Sequence, residues 1–342
     1  MSVMTRCIYC LKDIVPRDVA IGLLNPSLEH IIPYSLGGSD GFATNDAHVG
    51  CNGVLGETID SDCINQPYIV ILRQRFGISG RNGSVPDLVL PAISSNGNEP
   101  ATMTIPHGQG ASFKHEPIVI RQAETFGEQV LVVGNDGQVT KIVSGMAAKA
   151  KKRGGRVIDR ETGIELDIAA SVAASPREFH NEYNLNFSIE MTSFHREIVK
   201  IAYGFAHLVL GWRWTNSHHS RKLRAVAKGA GSRADLDAVI TLVDPKIREA
   251  LPMGLAGPDD HFVALLPLGK EAQIVVSLFS HAPLSAGVRI SIDPDILEAG
   301  FVEYNRALAV IDHQTRRTTW TSFEAFADHM SRMTRASEFG KF

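Results

Sequence analysis

Cysteine is scarce, at four residues among 342, and every one precedes residue 64. So few, so clustered, they exclude a disulfide framework for a chain of this size, and in a reducing compartment such a cluster points to metal instead. No apolar run approaches the roughly eighteen residues that a membrane-crossing helix needs, so no membrane partner is expected. Met1 to Cys10 carries Arg6 but no apolar stretch of signal-peptide length, so the chain is expected in the cytoplasm. A formal net charge of −3 excludes a generally sticky polycation, so any contact with nucleic acid must use local basic patches. Internal repeats and low-complexity tracts are missing as well.

What is present describes a globular protein: a 44% hydrophobic fraction supplies a real core, and the 21% charged fraction is ordinary. At 342 residues the expectation is two domains, or one with an appendage. Residues 1–66 hold all the cysteines and read as a small, loop-rich, metal-supported unit. Residues 67–106, with Gly77, Gly80, Gly83, Pro86, Pro91 and the turn-forming stretch Ser94 to Pro100, read as linker or domain edge. Residues 107–342 read as a larger α+β domain. There, Gln129–Val133 and Gln138–Val143 flank Asn135-Asp136-Gly137, a hairpin signal. Phe194, Ile198, Ile201, Phe205 and Leu208 share one helical face, which predicts a core helix over Ser193–Leu210. Three strand-like runs, His261–Leu266, Gln273–Phe279 and Gly287–Ile292, predict an antiparallel sheet, and Ser322 is placed to cap a last helix reaching about Met333. Two basic stretches, Lys149 to Arg156 and Arg213 to Lys228, the second beside Trp212 and Trp214, can track a phosphate backbone, although a solvated surface is the plainer reading of each.

The chemistry concentrates before residue 61. Cys7-Ile-Tyr-Cys10 spaces two thiolates for one tetrahedral ion, and His48-Val-Gly-Cys51 repeats the spacing some forty residues on. Cys7, Cys10, His48 and Cys51 are therefore assigned to a structural Zn2+, four protein ligands leaving no open position. Cys63 is the rival ligand, but without a partner at this spacing it reads as a small buried thiol.

Between the knuckles lie Leu28-Glu29-His30-Ile31-Ile32-Pro33, Gly37-Gly38 and Asn45, and Asn52 follows Cys51 directly. In these residues the sequence resembles the HNH endonuclease family, in the group whose Glu-His-Ile-Ile-Pro and Cys-Asn-x3-Gly motifs are framed by zinc ligands. The resemblance covers residues 7 to about 60. It implies a ββα-metal nuclease domain, so the fold class expected is α+β, a small zinc-containing HNH domain followed by a larger α+β domain. Carried over, His30 is the general base that deprotonates water, and Glu29 and Asn52 are ligands of a catalytic Mg2+ or Mn2+. Asn45 braces the hairpin and orients His30. Two departures stand out: the helix after Asn52 lacks the lysine frequent in the family, and Glu29 replaces a commoner Asp. Asp60, eight residues after Asn52, is a further candidate carboxylate on that helical face.

The implied function is metal-dependent hydrolysis of DNA phosphodiesters, with bacterial defence or restriction as the setting by architectural analogy. DNA is the expected partner, and a second copy of the chain or a defence-system protein is the candidate protein partner. The alternatives are a zinc-supported DNA-binding or regulatory module with a vestigial nuclease site, and an interaction scaffold with a purely structural zinc.

Overall fold

Regular structure opens with strand β1 (Pro26–His30), two 3-10 turns at Tyr34–Leu36 and Asp40–Phe42, and strand β2 (Ala43–His48). Helix α1 (Val49–Leu55) continues through a wider π turn (Gly56–Asp60) into α2 (Ser61–Ile64), and α3 (Pro67–Arg75) follows. Next come β3 (Leu88–Ser94), β4 (Pro100–Ile105), β5 (Ser112–His115), β6 (Ile118–Glu124), β7 (Gly127–Val133), α4 (Asp136–Lys152), α5 (Ile168–Ala174) and β8 (Tyr183–Leu185). The long helix α6 (Met191–Thr215) leads to α7 (Ser220–Ala227), α8 (Arg233–Val239), β9 (Ile240–Thr241), β10 (His261–Leu268), β11 (Glu271–Ser277) and β12 (Ser285–Ser291). The chain closes with α9 (Pro294–Tyr304), β13 (Leu308–Asp312), β14 (Arg317–Thr321) and α10 (Phe323–Phe339). This computed structural model describes residues 5–339 apart from 20, 96–99, 125–126, 177–181, 186–187, 244–254, 258, 269–270 and 281–283.

The result is a mixed α and β protein in two units, one formed by residues 1–86 with 189–342, the other by 87–188. This partition departs from the expected one. Residues 1–66 do not stand apart from the C-terminal part, because a single apolar cluster joins Ile8, Ile31, Ile32 and Phe42 to Phe194, Ile201, Phe205, Ile274 and Ile311. A segment with so few large apolar residues buries them most economically against a neighbour. The expected linker over 67–106 is instead helix α3 and strands β3 and β4. In β3 burial alternates, with Leu88, Leu90 and Ala92 inside and Val89, Pro91 and Ile93 outside, a period of two that the density of Gly and Pro nearby masks.

In the first unit β14-β13-β10-β11-β12-β9 form a six-stranded sheet, and its neighbouring strands pair antiparallel. The three C-terminal strand runs are therefore found as expected. Both sheet faces are buried: along β10, Val263 and Leu265 join the main core, whereas Phe262 and Ala264 join a second cluster with Val310 and Phe326 of α10. The expected core helix is α6, which extends past Leu210 and turns at Gly211, φ +65°. Ser322 caps α10 by accepting from Ala325 N at 3.2 Å.

The second unit holds a four-stranded sheet, β5-β4-β3-β8, and the separate hairpin β6-β7. The expected hairpin around Asn135-Asp136-Gly137 is not formed. Gln129–Val133 is strand, paired with β6, but Gln138–Val143 lies within α4. Asn135 is the N-cap, its side chain accepting from Gln138 N at 3.0 Å while Gln138 Oε1 accepts from Asn135 N at 3.2 Å. This reciprocal capping box starts a helix where a turn would otherwise reverse the chain.

Candidate metal and imidazole site

The knuckle at Cys7–Cys10 is a tight turn closed by Leu11 N donating to Cys7 O at 2.8 Å and Cys7 N to Lys12 O at 2.9 Å, with Leu11 at φ +60°. Ile8 N donates to Asp46 O of β2 at 2.8 Å, and Tyr203 Oη of α6 donates to Ile8 O at 2.6 Å, so the knuckle is pinned from two sides. Strand β2 ends in His48, which is also the N-cap of α1, and Cys51 follows in the first helical turn. Ligand atoms of Cys7, Cys10, His48 and Cys51 all lie within 4.8 Å of one another, a set that can hold a metal ion.

The tautomer of His48 fits that use. Asp13 O can only accept, so His48 Nε2–H donates to it at 3.0 Å, which leaves the Nδ1 lone pair 3.2 Å from Cys10 Sγ. Burial raises the Cys7 thiol, and burial with the neighbouring Cys7 and Cys10 pushes Cys51 up to about 12. The Cys7 and Cys51 thiols therefore keep their protons until a cation replaces them, and metal uptake must release protons. Cys63 is fully buried in the core and outside this cluster.

Strands β1 and β2 pair antiparallel with Glu29 opposite Thr44 and His30 opposite Ala43, and an irregularity falls between Ser27 and Glu29. Helix α1 follows β2 directly, so a ββα order is present. Asn52 Nδ2 donates to Ser27 Oγ at 2.8 Å and to Leu28 O at 3.2 Å, fastening α1 to β1 without using Asn52 Oδ1.

Successive residues of a strand point to opposite faces, and this separates the roles expected for Glu29 and His30. Glu29 is 1% exposed. Tyr9 Oη donates to its Oε1 at 2.9 Å, and Lys200 Nζ of α6 lies 3.1 Å from the same atom. Lys200 also contacts Asp60 Oδ1 at 2.6 Å. Burial alone would push the Lys200 ammonium down, but Glu29, Asp60 and Glu197 together hold it above its ordinary value. Burial, then the charge of Asp60, pushes the Glu197 carboxyl well above its ordinary value. Breaking such a pair would leave an uncompensated buried charge at a cost of about 3–5 kcal/mol.

This leaves Glu29 without support as ligand of a hydrated catalytic ion: its carboxylate is enclosed and paired with an ammonium. Asp60 is likewise committed to Lys200. The residues expected to hold Mg2+ or Mn2+ thus do not fit that ion in this arrangement, and Asn52 keeps one free oxygen at most. Lys200 was not legible as their partner because it lies about 170 residues from Glu29 and reads as one more polar position on a helix.

His30 is 8% exposed. Its Nε2 lies 2.8 Å from Asp40 Oδ1, so the carboxylate holds the Nε2–H, and Nδ1 is buried without a hydrogen-bond partner. The Tyr34 ring meets the imidazole edge-on at 5.6 Å. Asn45, expected to orient this ring, is exposed on β2 and makes no hydrogen bond to His30 among the described residues; Asp40 has that place. The signal for Asp40 was its position after the Gly37-Gly38-Ser39 turn, where Ser39 Oγ accepts from Gly41 N at 3.1 Å and starts the 3-10 turn.

Of the basic stretches, Lys149, Lys151 and Lys152 form the exposed last turn of α4. In the other, Arg224 donates to Thr215 O at 3.0 Å and Lys222 lies 3.6 Å from Asp235, which leaves less free charge there. Among the described residues no helix is long and apolar enough to cross a membrane. No protein-family model matches the chain, and no curated protein or solved structure matches it.

Proposed function

We propose that the chain is an HNH-type endonuclease that hydrolyses DNA phosphodiesters, with Zn2+ on Cys7, Cys10, His48 and Cys51 as a structural staple and His30 as the general base. The observation that carries this reading is the His30 ring: Asp40 holds Nε2–H, and the Nδ1 lone pair has no partner. A base needs that tautomer, and an imidazole is the side chain best matched to proton transfer near neutral pH. Buried polar side-chain atoms are in the large majority hydrogen-bonded, so an unpartnered ring nitrogen calls for an explanation. The expected context is bacterial defence or restriction in the cytoplasm, with the last turn of α4 as the stronger candidate for phosphate contact.

The enclosed Glu29–Lys200 pair favours a second reading, a zinc-supported DNA-binding or regulatory module whose metal-dependent site is vestigial. Incubation of the protein with supercoiled plasmid, with and without Mg2+ or Mn2+, separates the two. The first reading expects nicked or linear product, reduced at least about a hundredfold in His30→Ala with zinc content and melting unchanged. Salt-sensitive DNA binding by an inert parent would give the site to the second reading.

A further inference from the structure

Asp260 stands immediately before β10, Asp312 ends β13, and His313 begins the turn to β14. Pairing of β10 with β13 sets His261 opposite Ile311 and so brings the two segments side by side. One ligand atom from each of Asp260, Asp312 and His313 lies within 4.8 Å of the others. We propose that these three residues form a second metal site, for a divalent transition-metal ion of the Mn2+ type, separate from the cysteine cluster and independent of the nuclease reading.

Acidic residues at a turn are common, and the imidazole is what distinguishes this cluster. His313 is 4% exposed, and neither ring nitrogen makes a hydrogen bond of normal geometry; the Asp259 carbonyl is the backbone acceptor that bears on the ring, and it can engage only one of the two nitrogens. An unpaired buried polar atom is costly, so the ring is kept there at a loss that a cation on one nitrogen reduces. Its orientation is imposed. Phe76 meets it edge-on at 4.6 Å and Phe279 at 5.7 Å. Gly37, at φ +91°, lies so close that a Cβ there would come within 2.6 Å of His313 Cβ.

Charge balance points the same way. Asp259, Asp260 and Asp312 surround the ring, and among the described residues none of them pairs with a lysine or arginine. The nearby Arg316 donates to the carbonyls of Tyr34, Gly38 and Ser79. Asp260 Oδ2 accepts from Gly257 N, and Asp312 accepts from Gln314 N, Thr315 N and Thr315 Oγ1, so both carboxylates are positioned while keeping lone pairs. The three ligand atoms lie within 4.8 Å of one another, close enough for small side-chain rotations to bring them onto one ion. Two carboxylate oxygens and one imidazole suit Mn2+ and leave coordination positions for water, whereas the thiolates of the other cluster suit zinc.

The test is a Mn2+ titration of the full chain followed by electron paramagnetic resonance of the free ion, with melting curves in parallel. One Mn2+ per chain is expected to bind, raising the Tm. Asp260→Asn and His313→Ala should each weaken binding at least tenfold and abolish the rise in Tm. Asp260→Asn is nearly isosteric and guards against misfolding in the other variant. Cys51→Ser, Glu29→Gln and His30→Ala should leave the stoichiometry unchanged. Absence of Mn2+ binding, or equal affinity in Asp260→Asn and His313→Ala, overturns the proposal; loss in Glu29→Gln instead would move the ion to the β1 site and overturn it equally. Plasmid cleavage enters none of these readouts, so failure here leaves the nuclease reading untouched.

Discussion

His261 shows how one side chain ties the motif loop to the sheet. Its Nε2–H donates to Leu36 O at 2.7 Å and its Nδ1 accepts from Phe279 N at 2.9 Å, so the neutral ring satisfies both bonds in a fully buried place. Burial, opposed only by the Leu36 carbonyl, lowers its pKa to about 3. An unfolded histidine titrates near 6.5, so below that pH the unfolded chain takes a proton that the folded chain refuses. Stability is unaffected above about pH 7, falls progressively from about pH 6.5 toward pH 3, and then levels. Between pH 7.5 and pH 4.5 this residue should cost about 2–3 kcal/mol, within a factor of two. Urea unfolding at the two pH values should give His261→Gln a smaller acid loss by that amount, because its amide can make the same two bonds without titrating. An unchanged difference between the two pH values would mean that the ring does not stay neutral.

At the scale of elements, the first turn of α1, the end of β2 and the knuckle are each too short to be stable alone. Their ligands lie on three such pieces, and a metal bound there substitutes for apolar burial that the segment lacks. These pieces also rest on α6 through Tyr203 and Ile8, and a Cβ on Gly204 would meet Ile31 Cδ1 at 2.6 Å. Loss of the metal should consequently weaken the whole unit made by residues 1–86 and 189–342, where a free-standing module would melt by itself. Cys7→Ser should lower the zinc content below about half an equivalent and the Tm of that unit by roughly 6–12 °C, taking about 3 kcal/mol lost in a unit of this size. Amide exchange in 87–188 should stay as in the parent; faster exchange there as well would contradict the division.

For the molecule as a whole, residues 87–188 read as an insertion into one continuous core. The pairing of β3 with β8 matches Ala92 to Leu185 and Ser94 to Tyr183. The first and last strands of the insertion thus pair with each other. Insertions with adjacent ends can be removed without stretching the remaining chain. Replacing 87–188 by a short glycine-serine linker should give a soluble protein with the parent zinc content and a cooperative melt. Aggregation without bound zinc would show that the core needs the insertion.

The local features were legible from sequence because their physics is local. Two-residue knuckle spacings brought four ligands together, period-two and helical patterns marked β10 to β12 and α6, and Ser322 marked a helix start. The same locality misled at Asn135, where turn residues and cap residues share one chemistry and only the partner, Gln138, decides. It also misled at residues 67–106, where glycines and prolines hid two strands and a helix. Long-range pairing was decided by tertiary structure alone. Glu29 and His30 were one motif in sequence, yet the alternation of a strand sent Glu29 to Lys200 in the core and left His30 to Asp40. The same packing set Asp260 beside His313, because antiparallel pairing of β10 and β13 joins residues fifty apart whose kinship no spacing reveals.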